Sequence, residues 1–343
     1  MLSQTTLWKT ARAATLCAAA FSYPGLAQVP PPTILRIDTA NVVLYIEDVV
    51  ADPAKVATDP NVTTLTPPKN FFRNAVIGDI LAVNGQRVMG TQTGTGPGGG
   101  VLRIAPTPGQ AIADTVRNAV QMISFEILKS DGTPIGTIMG SGFTGGVSPP
   151  GSPLNVTGNN FVVTGGTGAF LGARGQAGTA ANPPGVAAAR GASITEDPAN
   201  RRRNGGGSQQ WVVHLIPLES PEIVMSTGGP AISHSSDFSL VTASKPAAAG
   251  ETLSLFARGL GPVKPGVDPG TPFPSSRLAV VNSPVEVTVN GKAAEVLSAV
   301  GYPGAVDGYQ VNFRVPSDAA KGPASIQVSA AWILGTSVSI PVQ

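Results

Sequence analysis

Apolar and polar residues alternate with period two over many short stretches of this chain, and a helical period is rare. "ILRIDTANVVLYIEDVV" is rich in β-branched residues and alternates over parts of its length. The stretch from Thr115 to Phe143, "TVRNAVQMISFEILKSDGTPIGTIMGSGF", reads as two strands joined by Asp131-Gly132, a strong hairpin signal. "NNFVVTGG" and "GAFLGARGQAG" form another pair, and "SQQWVVHLIPL" is a further strand. The one helical hint, "PGQAIADTVRNAV", is ambiguous because Val116 onward fits a strand equally well. Glycine-rich stretches at 94–100 and 205–207 read as loops. Up to about residue 220 the pattern predicts a closed or nearly closed antiparallel sheet, since closure removes the exposed edges of many short strands.

From about Ile223 the texture changes. "GETLSLFARGLGP", "VEVTVNGKAAEVLSAVG", "GYQVNFRVP" and "ASIQVSAA" are strands at short spacing, with an Asn290-Gly291 hairpin. About seven strands in this length predict an immunoglobulin-like sandwich over 223–343, without the cysteine pair of antibody domains. Tyr309 reads as a core or corner tyrosine. The whole is therefore expected to be all-β.

Composition agrees. The chain has 343 residues with 42 Gly and 32 Pro and only 12% charged residues, which suits strands and turns better than long helices. Residues 1–27 have the layout of a secretory signal peptide. Lys9 and Arg12 precede an apolar run from Ala13 to Phe21, and "GLA" ends at Ala27. Cys17, the single cysteine, lies inside it, so the mature chain is expected to lack thiol chemistry and disulfides. Removing Lys9 and Arg12 from 22 basic residues leaves 20 against 20 acidic ones. A neutral chain gives no reason to expect nucleic acid as a partner. The one basic cluster, Arg201-Arg202-Arg203, sits in a turn-rich segment and reads as a solvated loop. No later segment approaches transmembrane length, and a secreted protein is expected.

"VVTGGTGAFLGA" carries the letters of a dinucleotide-binding turn, but Gly175, Gly178 and "AANPPG" leave no room for the helix that would receive a pyrophosphate. A strand connection explains Gly165, Gly166 and Gly168 better. On the strand that follows, Phe170, Gly172, Arg174 and Gln176 would share one face, with Leu171, Ala173, Gly175 and Ala177 on the other. No cofactor is expected. With two histidines, no metal centre is expected either.

"VVTGGTGAFLGARGQA" resembles the signature of the dirigent and allene oxide cyclase barrel families. "LYIEDVV" (Leu44 to Val50) resembles the early dirigent strand, and "EILKSDGTPIGTIMGSG" the hairpin before the signature. The resemblance runs in order over residues 34 to 218. It implies an eight-stranded antiparallel barrel over 30–220, a central cavity for an apolar small molecule, and assembly as a homotrimer. The C-terminal segments resemble an Ig-like domain of secreted acidobacterial proteins, implying localisation and a cell-surface or extracellular partner. Both families work largely by shaping an apolar cavity, with carboxylates and an arginine assisting.

Carried over by residue, Asp48 matches the early-strand acid and Arg174 the arginine of Ala-Arg-Gly. Glu47 stands where dirigent proteins often carry a histidine, and Gly168 and Ala169 stand where many carry an acid. Asp48, Arg174 and Glu126 are thus the candidate ligand-binding residues, and no catalytic set is identified. Asp48 reads equally as a cap of its strand end, Arg174 as an ion-pair partner of Glu126, and His214 as a satisfied core histidine. Two functions follow: a secreted non-catalytic binding or scaffold module, or a dirigent- or cyclase-like protein steering coupling or ring closure of an apolar or phenolic substrate.

Overall fold

The computed structural model describes residues 33–48, 72–96, 120–143 and 158–343. The signal sequence and most of "PGQAIADTVRNAV" lie outside the described residues. The first ten strands are β1 (Thr33–Asp48), β2 (Phe72–Val83), β3 (Gln86–Arg87), β4 (Met89–Gly96), β5 (Val120–Leu128), β6 (Pro134–Phe143), β7 (Gly158–Gly168), β8 (Arg174–Thr179), β9 (Arg190–Ser193) and β10 (Gly207–Ile216). Eight of them, in the order β1-β2-β4-β5-β6-β7-β8-β10 and back to β1, close into an antiparallel barrel. Strand β9 runs parallel to β1 beyond the point where β10 leaves it.

Alternation decides what fills the barrel. On β5, Ile123, Phe125 and Ile127 are buried, while Met122 and Glu126, on the alternate positions, are exposed. Trp211 of β10 stands at the centre, with Phe125 and Phe161 edge-on to it at ring centroid distances of 5.2 and 5.6 Å. The strands flanking β5 carry glycines on their inner faces, Gly90, Gly94 and Gly96 on β4 and Gly136, Gly140 and Gly142 on β6. Large and small inner residues therefore alternate around the ring, as a small barrel requires. Residues 94–96 are strand and not loop, because these glycines pack beneath their neighbours' side chains.

The "GGTGAFLGARG" segment is the β7–β8 connection. A turn follows Gly168 (φ 62°), closed by hydrogen bonds from the Leu171 N–H to Gly168 O and from the Ala173 N–H to Phe170 O. Residues 174–179 are strand, so no helix follows the glycines. A Cβ on Gly166 would come within 2.4 Å of Phe170 O, so only glycine lets this turn fold back on β7. The turn breaks the expected alternation. Phe170 is buried in the barrel core with Ala173 and Ala177, while Leu171 and Arg174 are exposed.

The expected solvated basic loop is also corrected. Arg201–Asn204 forms one helical turn on the outside of the barrel. Arg201 is buried and pairs with Asp79 of β2, and Arg202 donates to both Asp79 carboxylate oxygens at 2.8 Å. Asn41, which takes positive φ at a bulge in β1, donates to Asp79 Oδ2 at 2.9 Å. Burial pushes the Asp79 carboxyl up. The hydrogen bonds from Arg202 and Asn41 and the two guanidinium charges outweigh it and hold the group below the ordinary carboxylate range. This clamp pins the segment before β10 over Tyr45, whose burial, reinforced by the charge of Glu196, pushes its phenol up.

The remaining strands are β11 (Glu222–Ile223), β12 (Met225–Ser226), β13 (Gly229–Pro230), β14 (Ile232–His234), β15 (Thr252–Arg258), β16 (Val263–Lys264), β17 (Val280–Val281), β18 (Val285–Val289), β19 (Lys292–Gly301), β20 (Tyr309–Arg314), β21 (Gly322–Ala330), β22 (Ile333–Leu334) and β23 (Val338–Val342). All but the β12–β13 hairpin belong to a second, nearly closed sheet around its own apolar core, which includes Leu253, Leu255, Val311, Phe313 and Ile326. The Asn290-Gly291 hairpin joins β18 to β19, both residues at positive φ. An Asn84-Gly85 turn of the same chemistry joins β2 to β3. Tyr309 is buried and its hydroxyl donates to Gly261 O at 2.7 Å.

The two sheets share one seam. Ala331 and Ile333, around the β21–β22 turn, are buried in the barrel's core cluster, with Trp332 packed against it. Trp332 Nε1 donates to Gln86 Oε1 at 2.8 Å, and Lys129 Nζ to Val281 O at 3.3 Å. One end of the barrel, the floor, is thereby sealed by the second sheet.

Candidate functional site

At the opposite end, which we call the mouth, the inner face changes character. Asn74 of β2, Gln92 of β4 and Gln121 of β5 are buried, as is Thr39 of β1. Gln121 Nε2 donates to Asn74 Oδ1 at 2.7 Å, bridging from β5 to β2 across the intervening β4. Glycines make that reach possible. Gly96 pairs with Asn74, and a Cβ there would stand 3.1 Å from Asn74 Oδ1. A second bridge crosses the lumen, where Gln92 Nε2 donates to Gln209 Oε1 at 3.0 Å.

The orientation of that second bridge follows from chemistry. The Trp211 indole N–H is a donor only, and it donates to Gln209 Oε1 at 3.1 Å. Gln209 must therefore present its oxygen, and Gln92 must turn its amide nitrogen toward it. Gln92 Oε1 is left buried with no hydrogen-bond partner among the described residues, the residue being only 1% exposed. A buried amide oxygen without a donor is destabilising by about 1–3 kcal/mol, so this oxygen has accepting capacity to spare.

The candidate residues from sequence fall elsewhere. Glu126 is exposed on the outer face of β5, opposite Thr91 and Thr137. Arg174 is exposed at the start of β8, opposite Ile216. Strands β5 and β8 are separated by β6 and β7, so the expected Arg174–Glu126 ion pair does not form. Neither side chain enters the barrel, because alternation sends Phe125, Ile127, Ala173 and Ala177 inward in their place. Asp48 ends β1 at the mouth, where its backbone pairs with Phe72, and its side chain lies outside the described residues. His214 is half-buried on the outer face of β10 opposite Ile34 and Gln176, and its Nε2 has no partner among the described residues, so it is not a satisfied core histidine.

Nor does the second sheet assemble a nucleophile and base. Both ring nitrogens of the buried His234 face acceptors, Glu251 Oε1 at 2.5 Å and Lys245 O at 3.2 Å. The neighbouring Ser235 and Ser254 hydroxyls bond to each other at 2.9 Å. Among the described residues no three His, Cys, Asp or Glu gather as metal ligands, and no helix is long and apolar enough to cross a membrane. Neutral carboxamides hold and orient a ligand, but they do not exchange protons near neutral pH.

No relative emerges. Known protein families, curated proteins and solved structures contain no match to the chain. The mouth has to be read from its own atoms.

Proposed function

We propose that this is a secreted, non-catalytic binding module whose barrel takes a small, mainly apolar molecule at its mouth through at least one hydrogen-bond donor. The carrying observation is the buried Gln92 Oε1, without a partner among the described residues, on the inner face that also carries the Trp211, Phe125 and Phe161 rings. The central aromatic rings suit an apolar body, and an unmet acceptor suits a hydroxyl. Similarity to the dirigent and allene oxide cyclase barrels supports the reading through the ordered motifs and through the glycine turn that delivers Phe170 to the core. The second sheet we read as an Ig-like domain that presents the barrel to an extracellular partner. The outer face of β4–β7 fits a homotrimer contact, since Met122, Met139 and Val162 are exposed there among serines and threonines.

The test uses Trp211 as reporter. In a Trp332→Phe background the mature chain holds that single tryptophan. Titration with phenols and aliphatic alcohols of graded size should give saturable fluorescence changes, lost in Gln92→Leu. No response from any of them would sink the proposal.

The alternative reading is a dirigent- or cyclase-like protein acting on an apolar or phenolic substrate, with Asp48 at the mouth end as its acid. Its motivation is the backbone position of Asp48 beside the carboxamide-lined end. Turnover of a coupling or ring-closing substrate, abolished by Asp48→Asn, would establish it over the binding module. The outward positions of Glu126 and Arg174 weigh on the side of binding alone.

A further inference from the structure

The seam between the barrel floor and the second sheet leaves a cleft of about 530 Å³, far from the carboxamide mouth. That volume is in the range of small-molecule sites, which favour such junctions. Its apolar walls come from both sides. Leu171 and Leu218 reach in from the barrel and Val306 from the β19–β20 loop, each more than half exposed. Phe273 and Tyr309 line it with ring centroids 5.2 Å apart. Three lining residues are acidic, Glu219, Asp268 and Asp307, and among the described residues no Lys, Arg or His lines the cleft. None of the three carboxylates forms an ion pair among the described residues.

Uncompensated negative charge above low-dielectric walls raises the local concentration of cations. Aromatic faces add attraction for a weakly hydrated cation. A metal ion is disfavoured, because among the described residues no three His, Cys, Asp or Glu gather as metal ligands. From this geometry we infer that the cleft is a second binding site, independent of the mouth, for a small organic cation, an ammonium group carried on an apolar body. The ammonium lies toward Asp307 and Asp268, and the apolar body lies between Leu171, Leu218 and Val306.

The test is a pair of fluorescent probes of opposite charge on the full mature chain. Dansylcadaverine carries an ammonium, and anilinonaphthalene sulfonate carries a sulfonate. The expected result is saturable one-to-one binding of dansylcadaverine and none of the sulfonate. Asp307→Asn keeps the shape of the side chain and suits its positive φ, so the fold should hold. It should weaken the cation about two- to fivefold, the range for a solvent-exposed charge pair. Leu218→Lys, at an exposed wall position, should abolish dansylcadaverine binding and admit the sulfonate. Gln92→Leu should change neither, which separates this site from the mouth. Equal binding of both probes, no saturable dansylcadaverine signal, or binding indifferent to Leu218→Lys would each overturn the inference.

Discussion

The floor and the mouth of the barrel are built from the same eight strands, yet they use opposite chemistry. At the floor, Val83, Val88, Ile135 and Phe170 meet Ala331 and Ile333 of the second sheet, and the seal is apolar. At the mouth, the same inner face carries Asn74, Gln92, Gln121 and Gln209, bridged amide to amide across glycines. Apolar burial needs only volume and exclusion of water, so the floor reinforces the fold directly. A buried amide network contributes only if every partner is met, and here one acceptor is not. Stability therefore sits mainly at the floor and centre, while the mouth holds the unmet acceptor on which the proposed binding role rests.

The largest expected effect removes what both halves share. Trp211→Ala should destabilise the barrel by about 3–5 kcal/mol in chemical denaturation, since the indole fills the centre and donates to Gln209. A loss below about 1 kcal/mol would mean that the barrel centre is not packed as described. Phe170→Ala should come close behind, at about 3 kcal/mol, because it empties the floor without touching an amide.

The mouth offers a sharper contrast within one bridge. Gln209→Leu strands both the Trp211 N–H and the Gln92 amide, and should be destabilising by about 2 kcal/mol. Gln92→Leu strands nothing new and removes the orphaned oxygen, so its change should stay within about 1 kcal/mol. Equal losses for the two variants, measured by urea denaturation, would break the assignment of the bridge.

Asp79 tests the clamp outside the barrel. Its folded carboxyl lies below the ordinary range, so its contribution is present above the unfolded value of about 3.9 and disappears as pH falls through the folded one. Asp79→Asn should cost about 2 kcal/mol at neutral pH, short of a fully buried pair because Arg202 is largely exposed. It should also flatten the acid limb of stability against pH. An unchanged limb would show that other carboxylates carry it. The smallest effects belong to Glu126→Ala and Arg174→Ala, both within about 0.5 kcal/mol, as for exposed outer-face positions generally.

Much of this barrel was legible in the pattern of residues. Period-two alternation in "QMISFEIL" assigns Ile123, Phe125 and Ile127 to one face and Glu126 to the other, and the structure follows it. Read strictly, the same rule removes Glu126 from the interior, and Arg174 with it once Ala173 and Ala177 are placed inward. The Asp131-Gly132 and Asn290-Gly291 turns were equally plain, because their backbone geometry is local. Asn84-Gly85 carries the same signal. Residues 94–96 read as the start of a glycine-rich loop, though with the preceding "GTQT" their alternating threonines and glycines are a strand pattern around one inward glutamine.

Local geometry and alternation thus come from the sequence by itself, since each depends on a residue and its near neighbours. The sequence determined an all-β chain, its hairpins, the change of texture near residue 220 and a glycine turn that leads into a strand. What sits across a closed barrel depends on residues brought together by closure. Only the tertiary structure set Gln92 opposite Gln209, 117 positions apart, and Asp79 beneath Arg201, 122 positions away. Neither pairing has a local signature, because the strands between them, and not the chain between them, carry the two residues into contact.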